Sequence, residues 1–447
     1  MLHRKNCKWF LKDGKNMSAF KPGRQLKPFF IGLVAFLFLL KSTGEARAGG
    51  FLSLDQGQPS TGTAEAGQAA LAEDASTVYF NPAGMTRLEK SEVLMGSQLS
   101  VLSVDFHSDG NNTFRGSDGG AAGGIYPGGG FYLVQKLAPW IDVGLSINAP
   151  AGLGSDYDDD WKGRYFIQNS FLAILDIDPA IAFRLTDWLS VGGGVDVYYA
   201  FMNQEMALCN PRILLPNEPD GKIKLKRLGD WSLGWNAGIL LEPSEETRIG
   251  VMYRSGVDFE LEGDIDFDNI GTIWSFLGLK DTYGKTSLTL PMSLNASLYH
   301  EVTDKFAILL DAGWQDWSSM KKTAITTQTG RAVSINRNWH DTWRAGLGVH
   351  YRVTEPLLLK AGVSYDSNPV DKEDRLPDIA VDRQWKYALG LEYGINKDMT
   401  LGVNGVFVDL GKALIDKTVA GDLRRLSGSY DQFATVIGFF FIWRFGK

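Results

Sequence analysis

The sequence has few cysteines and few prolines, and each shortage excludes a class of protein. Among 447 residues there are two cysteines, Cys7 and Cys209. Cys7 lies in an N-terminal export segment, and a lone Cys209 cannot form an intramolecular disulfide, so an exported disulfide scaffold is excluded. The same shortage leaves no cysteine cluster for a structural zinc or an iron–sulfur centre. With 16 prolines against 51 glycines, one large β structure is favoured over several soluble domains joined by linkers.

Basic charge is also scarce once the N-terminus is set aside. The whole chain has a formal net charge of −7, but residues 1–48 contain ten of the 45 basic residues and two of the 52 acidic residues. The remainder therefore carries 35 basic and 50 acidic side chains. A nucleic-acid-binding surface is not indicated by this balance.

Long apolar runs are nearly absent. The one clear example, FFIGLVAFLFLL at 29–40, follows many basic residues and precedes the small-x-small pattern of Ala46, Arg47 and Ala48. We predict a secretory signal over residues 1–48, with Met1 or Met17 as its start; an uncleaved anchor is the alternative. No later segment has 18 consecutive apolar residues, so spanning helices are not expected.

The rest of the chain is rich in runs that alternate between apolar and small or polar residues. The clearest are WRAGLGVHYRV (343–353), LLLKAGVSY (357–365) and WKYALGLEY (385–393). A period of two over nine to eleven residues predicts β-strands. A soluble sandwich would also alternate, but the length of the runs, the aromatic residues at the ends of the apolar face and the Gly-rich opposite face favour a membrane barrel.

We predict an all-β fold, a 14-stranded antiparallel transmembrane β-barrel occupying 91–447. An even number of strands closes an antiparallel barrel and satisfies every backbone group inside lipid. Short links, at 186–188, 243–246, 303–305, 354–356 and 396–398, recur on one side. Longer links, at 207–229, 268–285, 321–342, 368–383 and 411–430, are expected to lie outside the cell. The predicted strands are 93–106, 131–137, 141–148, 172–185, 189–206, 231–242, 247–267, 286–302, 306–320, 343–353, 357–367, 384–395, 399–410 and 431–445.

Residues 49–90 precede the first strand and read as a small helical plug, or hatch. The stretch 64–74 is rich in alanine, Asn81 suits a helix N-cap and Pro82 suits the first helical position. About forty residues cannot bury a useful core alone. Inside the lumen of a barrel they could.

The last strand has an apolar inward face as well as an apolar outward face. Val436, Phe440 and Ile442 point to the lumen in the predicted register. A general porin lines its interior with charged residues, so an apolar lumen indicates either a hydrophobic solute or packing against an internal plug.

Several distinctive stretches occur in order along nearly the whole exported chain. The first is GGFLSLDQGQPSTGTAEAGQAALAEDASTVYFNPAGMTRL, which contains Asn81, Pro82 and Ala83. The others are INAPAGLGSDYDDDWKGRY (147–165), WSLGWNAGILLEP (231–243), VMYRS (251–255), LTLPMSLNASLYHEV (288–302) and SYDSNPV (364–370). With these stretches the sequence resembles the FadL family of outer-membrane long-chain fatty acid transporters, which includes aromatic-hydrocarbon channels, and Asn81, Pro82 and Ala83 correspond to the hatch motif of that family.

The resemblance implies a kink in the third strand that opens a lateral gap to the membrane. The corresponding breaker here is APAGLG, with Pro150, Gly152 and Gly154, since proline removes a ladder donor and glycine weakens pairing. On composition alone, Pro150 could instead merely end a strand. The resemblance also implies that the first exported residues, Gly49, Gly50 and Phe51, move to open the path.

The function implied is passive uptake of long-chain fatty acids or other hydrophobic compounds, without cofactor or enzymatic activity. The ligand would leave the lipopolysaccharide layer, reach a pocket against the hatch, and exit sideways into the lipid of the bacterial outer membrane. The protein would act as a monomer inserted by the barrel-assembly machinery, and no nucleic acid partner is expected. An aromatic-hydrocarbon channel and, from another class, a plugged structural or adhesive barrel are the alternatives.

The chain departs from the family at the residues that would bind a carboxylate. The aligned positions near Met206 and Ala324 lack the basic side chain of the family's best-known branch. Arg344 and Lys386 face inward near the outer end and could substitute, or could merely solvate the lumen mouth or bind loop carboxylates. The substrate therefore stays open between a fatty acid and a neutral hydrocarbon.

Other candidate sites give weak signals. The five histidines have no metal-ligand spacing, and His350, the candidate for a barrel hydrolase, lies on a glycine-lined inward face. The Gly-rich stretch 119–130 lacks the lysine of a phosphate-binding loop. The carboxylates of 156–160 could bind Ca²⁺, although an acidic outer loop is the simpler interpretation. We predict no metal site.

Overall fold

The computed structural model describes residues 56–210, 219–419 and 424–446. One antiparallel sheet contains every strand, and it closes because β1 pairs with both β2 and β18. The strands are β1 (Ser91–Ser108), β2 (Gly124–Ala138), β3 (Ile141–Asp156), β4 (Asn169–Thr186), β5 (Leu189–Leu208), β6 (Gly221–Ser244), β7 (Thr247–Arg254), β8 (Val257–Asp268), β9 (Thr282–Leu290), β10 (Ser293–Thr303), β11 (Phe306–Gln315), β12 (Lys322–Thr327), β13 (Ala332–Asn336), β14 (Thr342–Thr354), β15 (Leu357–Asp366), β16 (Gln384–Gly394), β17 (Met399–Val419) and β18 (Arg424–Phe445).

Counted around the barrel, these strands occupy fourteen positions, which confirms the predicted fold class. Four positions are each occupied by two consecutive strands: β7 and β8, β9 and β10, β11 and β12, and β13 and β14. The strand pairing shows this. On one side, β7 and β8 both pair with β6, and on the other side β7 pairs with β10 and β8 with β9. In the same way, β11 pairs with β10 and β14, and β12 pairs with β9 and β13.

The interruptions have local causes. Between β9 and β10 the chain passes through Pro291, which has no backbone N–H to give to a ladder. Between β11 and β12 a 3₁₀ helix, Trp317–Ser319, breaks the strand. At the second break, Trp317 is fully buried in an apolar cluster that includes Leu290 and Trp339.

Three predicted outside links were wrong in part, and the first is 207–229, of which 221–229 belongs to β6. The range 321–342 contains the hairpin of β12 and β13, and most of 411–430 belongs to β17 and β18, which continue well past the predicted ends. These outer parts were missed because strands that extend beyond the lipid do not need an apolar face, so the alternation that identifies strands is lost there. The five short links predicted at 186–188, 243–246, 303–305, 354–356 and 396–398 are confirmed, with bounds that differ by at most two residues.

The outer face of the barrel carries large apolar side chains that are exposed in the isolated chain. A hydrocarbon environment accounts for such a belt with aromatic residues. Among its most exposed members are Leu233, Leu389, Trp343, Trp231, Leu347, Phe439 and Ile437.

No helix in the described part of the chain is long and apolar enough to cross a membrane. Three short helices lie in the loops, at Thr272–Phe276, Trp317–Ser319 and Pro377–Ile379.

The hatch, here residues 56–88, fills the lumen. Its short helices contact strands all around the wall, from β2 to β7, at β10, and from β14 to β17. Nearly all its residues are buried. Its helices are Pro59–Thr63 (3₁₀), Gln68–Leu71 (α), Thr77–Phe80 (α) and Pro82–Arg87 (3₁₀).

Candidate functional site

A narrow cavity of about 100 Å³ lies between the hatch and the wall. Its hatch side is formed by Gln68, Tyr79 and Phe80. Two arginines, Arg254 and Arg344, line it together with Pro150 of β3, so apolar and cationic groups meet in one space. The remaining lining residues are Tyr198, Met252, Ser255, Leu290, Pro291, Ser293, Leu294, Asn295, Gly313, Trp314, Gln315, Thr342 and Asp366.

Arg344 and Lys386, the predicted carboxylate partners, both hold a carboxylate of the hatch. Arg344 Nη2 donates to Glu65 Oε2 at 3.1 Å and to the carbonyl oxygen of Ala64 at 2.5 Å, and Lys386 Nζ donates to the same Glu65 oxygen at 3.2 Å. The Glu65 side chain has no solvent exposure. A buried carboxylate needs paired cations, so these two cations fix the hatch at Glu65.

The backbone at this point is strained. Ala64 has φ 52° and Glu65 has φ 56°, in the left-handed region that a residue with a Cβ rarely adopts. Each such residue costs about 1 kcal/mol or more. The wall contacts therefore hold the segment in a conformation that the free chain would leave.

Arg254 is surrounded by three buried aspartates of β4 and β5. Its Nη1 contacts Asp196 and lies 3.4 Å from Asp176 Oδ2, and its Nη2 lies 3.7 Å from Asp178 Oδ2. The Nη2 group also donates to the carbonyl oxygen of Tyr79 at 2.8 Å, and the guanidinium lies 4.0 Å from the centre of the Tyr79 ring. A fixed ionic group of the wall thus binds the second half of the hatch.

This cluster was missed in the sequence. The carboxylate oxygens lie within 4.8 Å of one another, close enough to share a metal ion, but Arg254 already supplies a cation among them. The signal that could have found it is Asp176 and Asp178, two acids at i and i+2 on one face of an otherwise apolar strand, which need a buried partner.

Asn81 ties the hatch motif to itself and to the wall. Its Oδ1 accepts from the backbone N–H of Ala83 at 3.2 Å, and Pro82 occupies the first helical position. Its Nδ2 donates to the carbonyl oxygens of Ala69 at 2.6 Å and Ile239 at 3.0 Å. One buried amide therefore joins two hatch helices to β6.

At the predicted kink, β3 separates from β2. The β2–β3 ladder runs only as far as Gly130 and Asn148, although β3 continues to Asp156 and pairs with β4 beyond a register shift between Asn148 and Ala151. Pro150 stands at this shift and lines the cavity. The wall is thus opened between β2 and β3 beside the hatch.

The two predicted glycines of the kink have different surroundings. A Cβ on Gly154 would lie 2.4 Å from the Tyr126 hydroxyl, whereas a Cβ on Gly152 would meet nothing closer than 3.7 Å. The Tyr126 side chain of β2 therefore lies across the opening and contacts Gly154. This contact leaves no room for a residue larger than glycine at position 154.

The predicted apolar lumen residues pack against the hatch. Phe440 and Ile442 belong to a buried cluster that includes hatch residues Tyr79 and Phe80, and Val436 belongs to one that includes Ala64. The apolar inward face of β18 was predicted to contact either a hydrophobic solute or an internal plug, and these three residues pack against the plug. A larger buried apolar cluster lies elsewhere, on β3–β6, β8, β9 and the loops. Its members include Ala151, Leu172, Ile174, Tyr198, Phe259, Leu288, Leu290, Trp317, Trp339 and Ile379.

The opposite side of the hatch, at the short-turn end, is polar. A cavity of about 640 Å³ there is lined by six acidic and six basic residues. They are Glu73, Arg87, Glu89, Lys90, Glu92, Arg184, Glu242, Arg352, Glu355, Glu392, Lys397 and Arg444. An alkyl chain leaving by this route would pass among charges.

Glu73 is the hatch carboxylate on this polar side. It accepts from Arg248 Nη2 at 3.0 Å, and its side chain is 30% exposed. Burial alone would raise the pKa of Glu73, but Arg248, together with His350 and Lys360, lowers it to about 2. His350, the former hydrolase candidate, lies 3.9 Å from this carboxylate and so contributes to hatch electrostatics.

The acidic stretch 156–160 is engaged by protein groups. Asp159 accepts from Lys222 at 3.0 Å, and Asp160 accepts from the Ser117 hydroxyl at 2.8 Å. Across residues 56–210, 219–419 and 424–446, the one acidic group close enough to hold a metal is the aspartate cluster around Arg254. The predicted gating residues Gly49, Gly50 and Phe51, and the signal 1–48, lie outside the described residues.

Comparison with known proteins gives a consistent result. Residues 39–445 match the family model described as outer membrane protein transport protein (OMPP1/FadL/TodX). The chain is 28% identical to outer membrane protein P1 of Haemophilus influenzae, over 90% of this chain and 95% of that one. It is 27% identical to the long-chain fatty acid transport protein of Escherichia coli, over 81% and 87% of the two chains.

Solved structures show the same fold. A Pseudomonas aeruginosa FadL homologue superposes with a TM-score of 0.82 at 21% identity, over 89% of this chain and all of that one. The toluene transporter TodX of Pseudomonas putida superposes with a TM-score of 0.64 at 19% identity, over 83% and 94%.

Proposed function

Because the chain belongs to the outer membrane transport family of FadL and TodX, a family of channels for hydrophobic substrates and not of enzymes, we propose that it takes up long-chain fatty acids by passive diffusion and releases them sideways into the outer membrane. The observation that carries this proposal is the end of the β2–β3 ladder at Asn148, beside a cavity lined by Tyr79, Phe80 and Pro150.

Sideways release follows from the polarity of the two exits. The alternative route runs past the hatch into a mouth lined by twelve charged residues. Exposing an alkyl chain to water costs about 0.8 kcal/mol for each CH₂ group. The gap at Pro150 lets the alkyl chain pass from the cavity to lipid without that exposure.

A fatty acid is favoured as the substrate because two arginines line the cavity, and guanidinium groups bind carboxylates strongly. The E. coli relative is named as a long-chain fatty acid transport protein. An aromatic hydrocarbon is the second candidate, favoured by the acidic partners that already neutralise both arginines.

The remaining parts of the proposal complete the path. Residues 1–48 act as the export signal, 49–90 as the hatch, and 91–447 as the barrel that the assembly machinery inserts as a monomer. Gly49, Gly50 and Phe51 lie at the start of the exported chain, where a shift would open the path. Ligand enters from the lipopolysaccharide layer.

Deletion of 150–154 tests sideways release. In cells lacking their own transporter, we expect uptake of labelled oleate to fall at least tenfold, with the barrel still heat-modifiable on gels. Deletion of five residues from the outer loop, 111–115, is the matched control and should leave uptake near wild type. Unchanged uptake of both oleate and toluene in the 150–154 deletion would overturn sideways release, and toluene uptake without oleate uptake in the wild type would favour the hydrocarbon channel.

A further inference from the structure

Arg344 has two neighbours of different kinds. It lines the cavity proposed to receive the ligand, and it binds Glu65 of the hatch. Lys386 binds the same Glu65 oxygen at 3.2 Å. The carboxylate-binding position therefore already contains a carboxylate, and it belongs to the element that closes the lumen.

We propose that Glu65 is a built-in competitor for the ligand carboxylate, and that a long-chain acid displaces it from Arg344 and so releases the hatch at 64–66. The inference rests on the proposed function and adds the rule by which the pathway distinguishes substrates. An acid opens the hatch by replacing Glu65, whereas a neutral chain of equal length has nothing to offer Arg344.

The charge balance permits this exchange. Arg344 and Lys386 face Glu65, and Asp311 Oδ2 lies 3.9 Å from Arg344 Nε. Removing Glu65 alone would leave a buried cation short of its partner, which is costly. A ligand carboxylate that arrives as Glu65 departs keeps the number of charges constant, so exchange is easier than simple opening.

The backbone supplies a reason for Glu65 to stay away once displaced. Ala64 and Glu65 both have left-handed φ values, and such conformations persist only where surrounding contacts impose them. The contacts that impose this one include the bonds from Arg344 to the Ala64 carbonyl and to Glu65. When the ligand takes Arg344, the segment can relax.

Arg254, the other arginine of the cavity, is not suited to the same exchange. Its three carboxylate partners, Asp176, Asp178 and Asp196, are on strands of the wall and cannot withdraw as a hatch residue can. A ligand carboxylate there would be a fourth negative charge around one cation. Ligand exchange is therefore assigned to Arg344.

The test compares Glu65→Gln with the matched control Glu73→Gln. Both residues are hatch carboxylates paired with a wall arginine, but Glu73 faces the polar mouth and not the ligand cavity. Affinities of the purified full barrel for oleate and for oleyl alcohol are measured by calorimetry. Glutamine keeps the shape but holds Arg344 less strongly, so we expect E65Q to bind oleate about tenfold more tightly, within the range usual for coupled sites.

Oleyl alcohol should bind E65Q as it binds the wild type, and E73Q should change neither affinity. Equal tightening for oleate and oleyl alcohol, or the same gain in E73Q, would overturn the inference. A wild-type barrel that binds and transports neither compound would instead overturn the proposed function, so the two failures are distinguishable.

A second measurement needs no change at Glu65. With Cys209→Ser as background, Ala66→Cys reports on the charged segment of the hatch and Ala75→Cys on the apolar part. Both alanines are fully buried. We expect oleate, and not oleyl alcohol, to speed thiol labelling at position 66 several-fold with no change at position 75. Labelling that is insensitive to oleate, or accelerated equally by the alcohol, would contradict displacement even if E65Q does not assemble.

Discussion

The two halves of the hatch are held by different chemistry. Residues 56–66 are bound by polar and charged side chains of β14–β17: Arg344 and Lys386 at Glu65, Lys360 at the carbonyl of Pro59, and Asn404 at that of Gln58. Residues 67–88 are bound by the amide of Asn81, by Arg254, by an apolar cluster shared with β2, β4 and β18, and by ion pairs of Glu73 and Arg87 at the polar mouth.

The difference shows which half a ligand can release. In the proposed exchange, a ligand carboxylate in the cavity replaces Glu65 at Arg344. The ion pairs of the second half lie at the polar mouth instead, and its packed apolar groups offer a solute nothing to replace. The first half is thus suited to exchange and the second to anchoring. Each prediction below weakens one half or compares the two.

Removal of the Asn81 side chain should have the largest effect. Asn81→Ala deletes one accepted and two donated hydrogen bonds in a fully buried place, and a buried group left unsatisfied costs about 1–3 kcal/mol. We expect the free energy that holds the second half of the hatch to the wall to fall by about 3 kcal/mol. Hydrogen exchange should show lost protection over 67–88 while the barrel ladders keep theirs; loss of the whole barrel would argue against a hatch-specific role.

Substitution of two wall glycines should displace the two halves of the hatch separately, because each glycine contacts a different half. A Cβ on Gly362 would lie 2.0 Å from the Thr63 carbonyl oxygen, and a Cβ on Gly238 would lie 2.0 Å from Asn81 Oδ1. Overpacking of this kind costs about 1–3 kcal/mol. Gly362→Ala should expose the first half and raise oleate uptake, whereas Gly238→Ala should expose the second half, as judged by limited proteolysis. Identical proteolytic patterns would show that the hatch moves as one unit.

Acid should weaken the ionic contact of Glu73 in the second half, with the smallest effect. Its pKa is lowered from 4.5 to about 2, so its contribution is present above about pH 4.5 and is lost as the pH falls toward 2. Because the side chain is 30% exposed, screening limits the effect to about 1 kcal/mol. Hatch protection in wild type should fall over this window, and Glu73→Gln should remove that part of the pH dependence; an unchanged titration in the variant would assign it to another group.

The sequence predicted the barrel because lipid and lumen impose opposite needs on neighbouring residues. That constraint is strict in 343–353, 357–365 and 385–393, and each of these runs forms a strand within a residue or two of its predicted position. It is absent where strands continue beyond the lipid, so β12 and β13 and the outer parts of β17 and β18 were not found. The cap at Asn81 was readable because it depends on adjacent residues only.

The candidate site was less accessible to prediction because it depends on partners far apart in the sequence. Arg344 and Lys386 were chosen for facing inward, but nothing in their neighbourhood indicates that Glu65, which lies 279 and 321 residues earlier, would bind both. Likewise Arg254 and its three aspartates come from β4, β5 and β7. Such pairings are fixed by barrel register and by the hatch position, which alternation does not specify.

The seam of the barrel has a consequence for how the chain folds. β1 and β18 pair without a register shift from Ser91 with Phe445 to Ser108 with Gly428, so the ladder that closes the barrel joins the most distant parts of its sequence. Bringing such ends together carries the entropy of a very long loop. Phe440 and Ile442 of β18 pack on the hatch, which is joined directly to β1. The hatch therefore offers the last strand an apolar surface beside its partner in the ladder that closes the wall.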